Sequence, residues 1–332
     1  MSLSTNNPSL LDILKLTDPD GKGAAVVEIL NEYNTIVADA VTTVANGDHY
    51  HRSSVRTGLP NSTWRAMYQF VQPSKSTYAQ IQDNIGNLEA YSEPDKDLID
   101  LAPGGKEHAL LMESRGHLES MAQNLANTMI YGSEQIEPNS FTGLAPRYSS
   151  LSAENADNIL AGGGAGTDNA SIWFVKWAET TCHLIIPKGN ATDAIMVNFK
   201  GQDTLTGTGG SREIYRTHFK VNLGLHLRDW RGVGRICNID KSDLNATATG
   251  SSANLPRLMR QLLSRIDNPY SGGRGVWYMS RDMKDILEAQ IENRVANSTL
   301  TIENVGGVPT TMFAGFPIHR LDCLSADEAL VS

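Results

Sequence analysis

The chain has 332 residues, 40% of them apolar and 20% charged, with a formal net charge of −9. That is enough to bury one large core or two smaller lobes, and the acidity is spread along the sequence with no Lys/Arg block, which speaks against direct nucleic-acid binding. Cys182, Cys237 and Cys323 are odd in number and far apart, no stretch approaches the ~20 apolar residues of a membrane span, and MSLSTNNPSLLDILKL is no secretion signal; a disulfide framework, a zinc cluster and a membrane role are set aside, and a reducing, cytosolic setting is expected.

Residues 1–22 read as a polar arm with one apolar cluster, Leu10 to Leu16, closed by the turn Asp18-Pro19-Asp20-Gly21. From Ala24 to Val44 apolar residues recur at Val26, Val27, Leu30, Tyr33, Val37, Ala40, Val41 and Val44, the period of a helix with one buried face, which Asn46-Gly47 stops. Residues 48–62 look irregular. Then Trp64, Ala66, Tyr68 and Phe70 alternate with Arg65, Met67 and Gln69 as a strand, Pro73 to Ser76 turns, and Thr77 to Ile85 returns. A two-stranded hairpin is marginal alone in water, so it must lie on something, and another subunit is a candidate.

Lys106 to Tyr131 is the longest periodic segment, with Leu111, Leu118, Met121, Leu125 and Met129 on one stripe and Gly132 as its stop. At 1.5 Å per residue it spans roughly 40 Å, which suits a spine. A flexible stretch is expected from Ser149 to Asp168. Ser171 to Pro187 and Arg212 to Asp240 are rich in aromatic and β-branched residues, separated by the polar loop Gly189 to Ser211. Two helices follow, Asn254 to Ile266 with Pro256 in the first turn and Arg281 to Val295 behind Ser280, and the chain closes with a strand at Thr310 to Phe313, a turn at Gly315 and the segment Pro317 to Leu321.

Motifs that could carry chemistry are incomplete. Gly162 to Gly166 lacks the Gly-Lys-Ser/Thr ending of a phosphate loop and reads as a linker; Asp18 to Gly23 begins like a calcium loop but has Lys22 at a ligand position and Ile29 where a Glu is required. His49 and His51 share a strand face, a possible metal half-site without evident partners, and favour a surface loop. His117-Leu118-Glu119 lacks the Pro-Cys-x-x-Cys half of a zinc deaminase. His183, His218 and His226 with Asp229 compose a triad on paper, yet no Gly-x-Ser-x-Gly occurs, and a polar sheet face is the simpler reading. Arg228, Trp230 and Arg231 beside Asp229 are residue types that dominate binding hot spots, with a salt-bridged strand end as the equal alternative. No catalytic residue, cofactor or metal ligand is therefore expected, and the chain does not read as an enzyme.

Gln72-Pro73-Ser74-Lys75-Ser76-Thr77 and Asp83 through Tyr91, Phe141-Thr142-Gly143-Leu144 before Pro146-Arg147-Tyr148, Asp168 through Trp173 continuing to Pro187-Lys188-Gly189, Tyr215 through His218, Arg228 through Arg231, and Ile236 through Asp240 occur in an order that spans residues 47–322. In these phrases the chain resembles the major capsid proteins of short-tailed bacteriophages, the group that includes the coats of the Bordetella and epsilon-fifteen phages. The resemblance implies an α+β Hong Kong 97 type fold: an N-terminal arm (1–22), a peripheral domain (23–47 and 86–149) carrying the spine helix 106–131, an extended loop (48–85), an axial domain (150–295) and a C-terminal return to the peripheral domain (296–332).

It further implies self-assembly into pentamers and hexamers of an icosahedral shell around double-stranded DNA, inside the bacterial cytoplasm, with a separate scaffolding protein, a portal and in some cases a cementing protein. On that footing Trp64, Arg65, Tyr68, Lys75 and Tyr78 of the hairpin, with Arg228, Trp230 and Arg231, are the expected subunit-interface residues. Gly116, in mid-helix, is the expected hinge of the spine, with close packing against a strand as its alternative. The rival readings are a minor virion or decoration protein and, from another class, an enzyme using the histidines of the sheet.

Overall fold

The computed structural model describes residues 34–102, 105–188, 195–207, 210–248, 252–292, 300–305, 308–325 and 327–332. The arm expected over 1–22 and the start of the first helix lie outside them. The molecule is organised by strands too apolar to tolerate water on either face. β6 (Asn169–Trp177) and β7 (Cys182–Ile186) are buried at every position, and β10 (Val233–Asp240) and β11 (Arg274–Met279) at all but one. Alternation then divides them between two cores. On β6, Ala170, Ile172 and Phe174 face one side and Trp173, Val175 and Trp177 the other; on β11, Trp277 and Met279 part from Val276 and Tyr278 in the same way.

These strands belong to a 12-stranded sheet in the order β12–β13–β14–β11–β6–β7–β9–β4, with β12 Leu300–Val305, β13 Val308–Phe313, β14 Phe316–Arg320, β9 Gly210–Leu227 and β4 Gly86–Ser92. Off this path, β5 (Ile159–Ala161) pairs with β10, and β8 (Ile195–Gly207) with β9. One face is covered by the second half of the long helix, with Met121, Leu125, Ala126, Met129 and Ile130, and by Leu321, Leu324 and Val331 of the C-terminal segment. The other carries the two later helices, Leu255–Arg265 and Arg281–Glu292, through Met259, Leu262, Leu263, Met283 and Leu287. The helix Lys106–Tyr131 has its expected bounds, and Gly132 beyond it leaves room for no side chain: a Cβ would stand 2.5 Å from the Thr128 carbonyl oxygen and 2.6 Å from that of Phe141.

Three buried carboxylates tie distant parts of the chain to this frame. Asp39, in the short helix Ile36–Asp39, accepts from Tyr278 Oη at 2.9 Å and His319 Nδ1 at 2.5 Å and pairs with Arg274 at 3.1 Å. Glu328 pairs with Arg235 at 2.7 Å and accepts from Tyr131 Oη at 2.5 Å and from Ser171 Oγ. Asp83 pairs with Arg147 at 2.8 Å. Buried charges survive only when paired and hydrogen-bonded in this way.

Four segments depart from the sequence expectation. The first helix stops at Asp39, and Thr42–Val44 is instead β1, parallel to β7 with Thr42 opposite Leu184; the β-branched run Val41 to Val44 finds a sheet edge, and pairing overrides the helical period. The polar loop after Gly189 is, over its described part, the strand β8, opposite β9 from Ile195 to Gly207. It reads as polar because little covers it: Val197 and Phe199 are exposed. The glycine-rich linker is a packed edge. β5 runs parallel to β10, and beyond it Gly162 N donates to Cys237 O at 2.7 Å and Gly164 N to Asn238 O at 2.8 Å. The glycines are needed for contact, since a Cβ on Gly162 would lie 2.7 Å from Ile239.

In the hairpin, finally, the first strand is not Trp64–Phe70 but β2, Tyr50–Gly58, paired with β3, Thr77–Asn84. Residues 59–76 form an irregular tip. The chain turns between Ala66 and Gln69, with Tyr68 in the left-handed region at φ 69°, which breaks the alternation that suggested a strand.

Candidate assembly surfaces

The hairpin β2–β3 is about 30 Å long at the usual strand rise, and the large apolar residues of its tip are left uncovered by the other described residues. Trp64, Tyr68 and Phe70 are between 98% and 104% exposed, and Leu59 and Met67 nearly so. Arg65 and Lys75 are exposed beside them. Ser74 Oγ donates to Asn61 O at 2.8 Å and holds the two limbs of the tip together. Tyr78 stands lower on the hairpin, where Arg56 lies 5.4 Å over its ring and donates to its hydroxyl at 3.2 Å. The hydrogen bond from that guanidinium lowers the Tyr78 phenol below its ordinary value. Single exposed apolar residues are ordinary, but several large ones gathered at one projecting tip are the composition expected of an interaction surface.

Arg228, Trp230 and Arg231 lie elsewhere, at the turn between β9 and β10. Asp229 caps the short Trp230–Gly232 turn and accepts from Arg231 N at 3.1 Å, Nε at 3.0 Å and Nη2 at 2.8 Å; Arg231 also reaches Asp267 at 3.3 Å. Burial raises the Asp229 carboxyl, and the Arg231 hydrogen bonds outweigh it and hold it below the usual range. Trp230 is half-buried against the core, and its carbonyl accepts from Tyr148 Oη at 2.7 Å. Arg228 remains exposed. Both readings of this cluster thus have a physical basis, the salt bridge in Arg231 and an outward charge in Arg228.

Gly116 sits in the helix Lys106–Tyr131 where its surroundings change. Every fully buried residue of that helix lies beyond it, from Met121 onward, whereas Leu111 and Leu118 are exposed. A Cβ at Gly116 would meet nothing within 4 Å, so close packing against a strand of this chain does not explain the glycine.

The histidines are distributed differently from the sequence expectation. His218 pairs with Glu89 at 3.1 Å and stacks on Tyr91, apart from the others. His183 and His226 face each other directly across β7 and β9, and His51, expected on a surface loop, comes from β2 to join them. His226 Nδ1 is 2.7 Å from Asp83 Oδ2 and its Nε2 is 2.9 Å from Ser53 Oγ. This is the hydrogen-bond order of a hydrolase triad. The His226 imidazole is wholly buried, however, and Ser53 is half-buried within a paired strand opposite Ile81, not on the exposed turn that presents a hydrolase nucleophile. The convergence was hidden in the sequence because it depends on hairpin register: His51 stands opposite Asp83, and Gly224 lets the hairpin close down, since a Cβ there would be 2.6 Å from the Asn84 carbonyl oxygen.

Comparison with known proteins adds the following. A family model described as major capsid protein GP7 matches residues 18–332. Among solved structures, a chain of bacteriophage Epsilon15 is similar at 33% identity with a TM-score of 0.78, covering 100% of both chains. The capsid of the native GTA particle is similar at 11% identity with a TM-score of 0.48, covering 67% of this chain and 95% of that one. A chain of Mycobacterium phage Adephagia is similar at 13% identity with a TM-score of 0.43, covering 69% and 97%. No curated protein matches.

Proposed function

We infer the working form of this chain from the premise that it belongs to the major capsid protein GP7 family: it is a tailed-phage major capsid protein, has the Hong Kong 97 type α+β fold, and forms the shell of the virion. The finer reading is that copies associate as pentamers and hexamers of an icosahedral shell enclosing double-stranded DNA. The observation that carries it is the stalked apolar tip of residues 59–76, whose Trp64, Tyr68 and Phe70 are fully exposed and covered by none of the described residues. A neighbouring copy is its natural cover, because a shell is built from heterologous contacts that return on themselves. On this reading 48–85 is the extended loop, 23–47 with 86–149 the peripheral domain, 150–295 the axial domain, and 296–332 the return. Trp64, Arg65, Tyr68, Lys75 and Tyr78 form one interface and Arg228, Trp230 and Arg231 another, with Gly116 as the pivot of the spine helix.

The role is mechanical and not enzymatic, and the buried state of His226 and the strand setting of Ser53 support that side of the proposal. The partners are further copies of the chain, with a scaffolding protein, a portal and a cementing protein as additional components, and assembly takes place in the bacterial cytoplasm. The acidic balance fits a wall that does not adhere to packed polyanion, and among the described residues no helix is long and apolar enough to cross a membrane. The test is electron microscopy of the purified protein expressed with and without its candidate scaffold. Shells, capsomers or tubes are expected; a monodisperse monomer under every condition overturns the reading.

A further inference from the structure

Where the base of the hairpin meets the sheet, three imidazoles from three strands come together under cover. We propose that His51, His183 and His226 bind one divalent transition-metal ion of the zinc type, which fastens the projecting hairpin to the body of the subunit. One ligand atom from each residue lies within 4.8 Å of the other two. The ring centroids are 4.5 to 5.7 Å apart, and none of the three pairs is stacked.

The polar accounting points the same way. Nδ1 of His51 and Nδ1 of His183 are buried and make no hydrogen bond, and His183 is only 2% exposed. Buried polar atoms are nearly always hydrogen-bonded, and two unmet ones side by side call for a ligand. The outer contacts of the cluster are those of metal-bound histidines. His226 offers Nδ1–H to Asp83, which is held in turn by Arg147 at 2.8 Å and by Leu227 N at 3.2 Å. A carboxylate partner of this kind fixes the tautomer and orients the free nitrogen. Ligation through Nε2 of His226 exchanges its hydrogen bond with Ser53 for a metal bond, and leaves the Ser53 hydroxyl or a water at the open side.

Metal binds imidazole through a deprotonated ring nitrogen, so binding at this cluster is coupled to pH. Imidazole nitrogen suits zinc, copper, nickel or cobalt and not magnesium or calcium. Arg228, at the rim, opposes a cation.

The test uses full-length, unassembled subunit stripped with chelator and titrated with Co²⁺. The expected result is stoichiometric binding with the visible absorption of a low-coordinate, nitrogen-ligated ion, displaced by Zn²⁺, together with slower amide exchange in β2 and β3. His51→Ala, at the half-buried edge of the cluster, abolishes the absorption while circular dichroism stays unchanged. Asp83→Asn weakens binding about 10- to 100-fold, and Arg228→Gln tightens it. Absence of stoichiometric Co²⁺ binding overturns the proposal, as does equal binding by His51→Ala, which would assign the metal to surface histidines. Because the readout is on the free subunit, its failure leaves the coat reading standing, and failure to form shells leaves this one standing.

Discussion

Trp64→Ala separates assembly from folding most cleanly. In the isolated subunit the indole is fully exposed, so its removal moves the unfolding free energy by less than about 0.5 kcal/mol, the usual range for a surface substitution. In the shell the same side chain, set among Tyr68, Phe70 and Met67, is to be covered by a neighbour, and truncating a Trp at the centre of an interface costs about 2–4 kcal/mol. In a closed array of equivalent contacts each subunit donates one tip and receives one, so that cost applies once per subunit. At 1.4 kcal/mol per factor of ten, the protein concentration at which shells appear rises about 30- to 700-fold. Light scattering against concentration, with electron microscopy of the products and thermal unfolding of the free subunit, measures both sides. An unchanged assembly threshold would refute the reasoning, and so would a large fall in the melting temperature, which would mean that the tip serves its own chain.

Glu328→Gln leaves the Arg235 guanidinium, 5% exposed as a side chain, without its counter-charge; a loss of about 3–5 kcal/mol is expected from denaturant unfolding, and a loss under 1 kcal/mol would show that the pair is not buried in solution. Gly116→Ala adds a methyl that meets nothing, so the free subunit gains about 0.5–1 kcal/mol of helix stability while shell expansion, followed by small-angle scattering, slows; expansion at the wild-type rate removes the hinge. Burial pushes the Cys182 thiol up to about 12 from 9.0, so the native subunit gives no fast reaction of this thiol with a thiol-specific chromogen at pH 8, whereas the denatured chain does. The folded state holds the proton longer than the unfolded state, so this group's contribution to stability is full below pH 9 and is lost as pH rises from 9 towards 12; native-state labelling of Cys182 at pH 8 would contradict the packing of β7.

The parts of the fold that were legible in the sequence are those whose burial is written in their own residues. The spine helix and the helix Leu255–Arg265, with Asn254 accepting from Arg257 N at 3.1 Å and proline in its first turn, carry their period and their stops in their own residues. The buried strands announce themselves by aromatic and β-branched density. What escaped reading is whatever depends on a partner segment far away in sequence. β8 looks like a loop because only one neighbour makes it a strand. Gly162 and Gly164 look like a linker because the strand they press on lies beyond residue 230. Tyr50–Gly58 looks irregular because its alternation is polar on both faces, and a hairpin that stands away from the body has no core to select apolar residues. The proposed interface residues were suggested by composition and resemblance; of the histidine cluster, His183 and His226 were grouped with His218, and His51 was considered only with His49, so the convergence of His51 on the other two was not foreseen.

The same contrast bears on how a shell subunit divides its work. Asp39, Asp83 and Glu328 each gather elements far apart in the chain, and each has at least two donors around it. Breaking any one exposes a buried charge, so the body they join resists deformation. The projecting parts, by contrast, are held by local pairs: Arg56 with Tyr78, Ser74 with Asn61, Thr204 with Glu213. Contacts of that kind sit in water and are individually weak, and they leave the arms free to settle against a neighbour at low cost. Asp83 is where the two regimes meet, because it belongs to the hairpin and yet binds Arg147 and His226 of the body. A coat subunit must present one shape to neighbours in unequal surroundings. It achieves this with a stiff frame and a compliant arm only if the arm's root is fixed, and the Asp83, Arg147 and His226 cluster is the fixation that this chain provides.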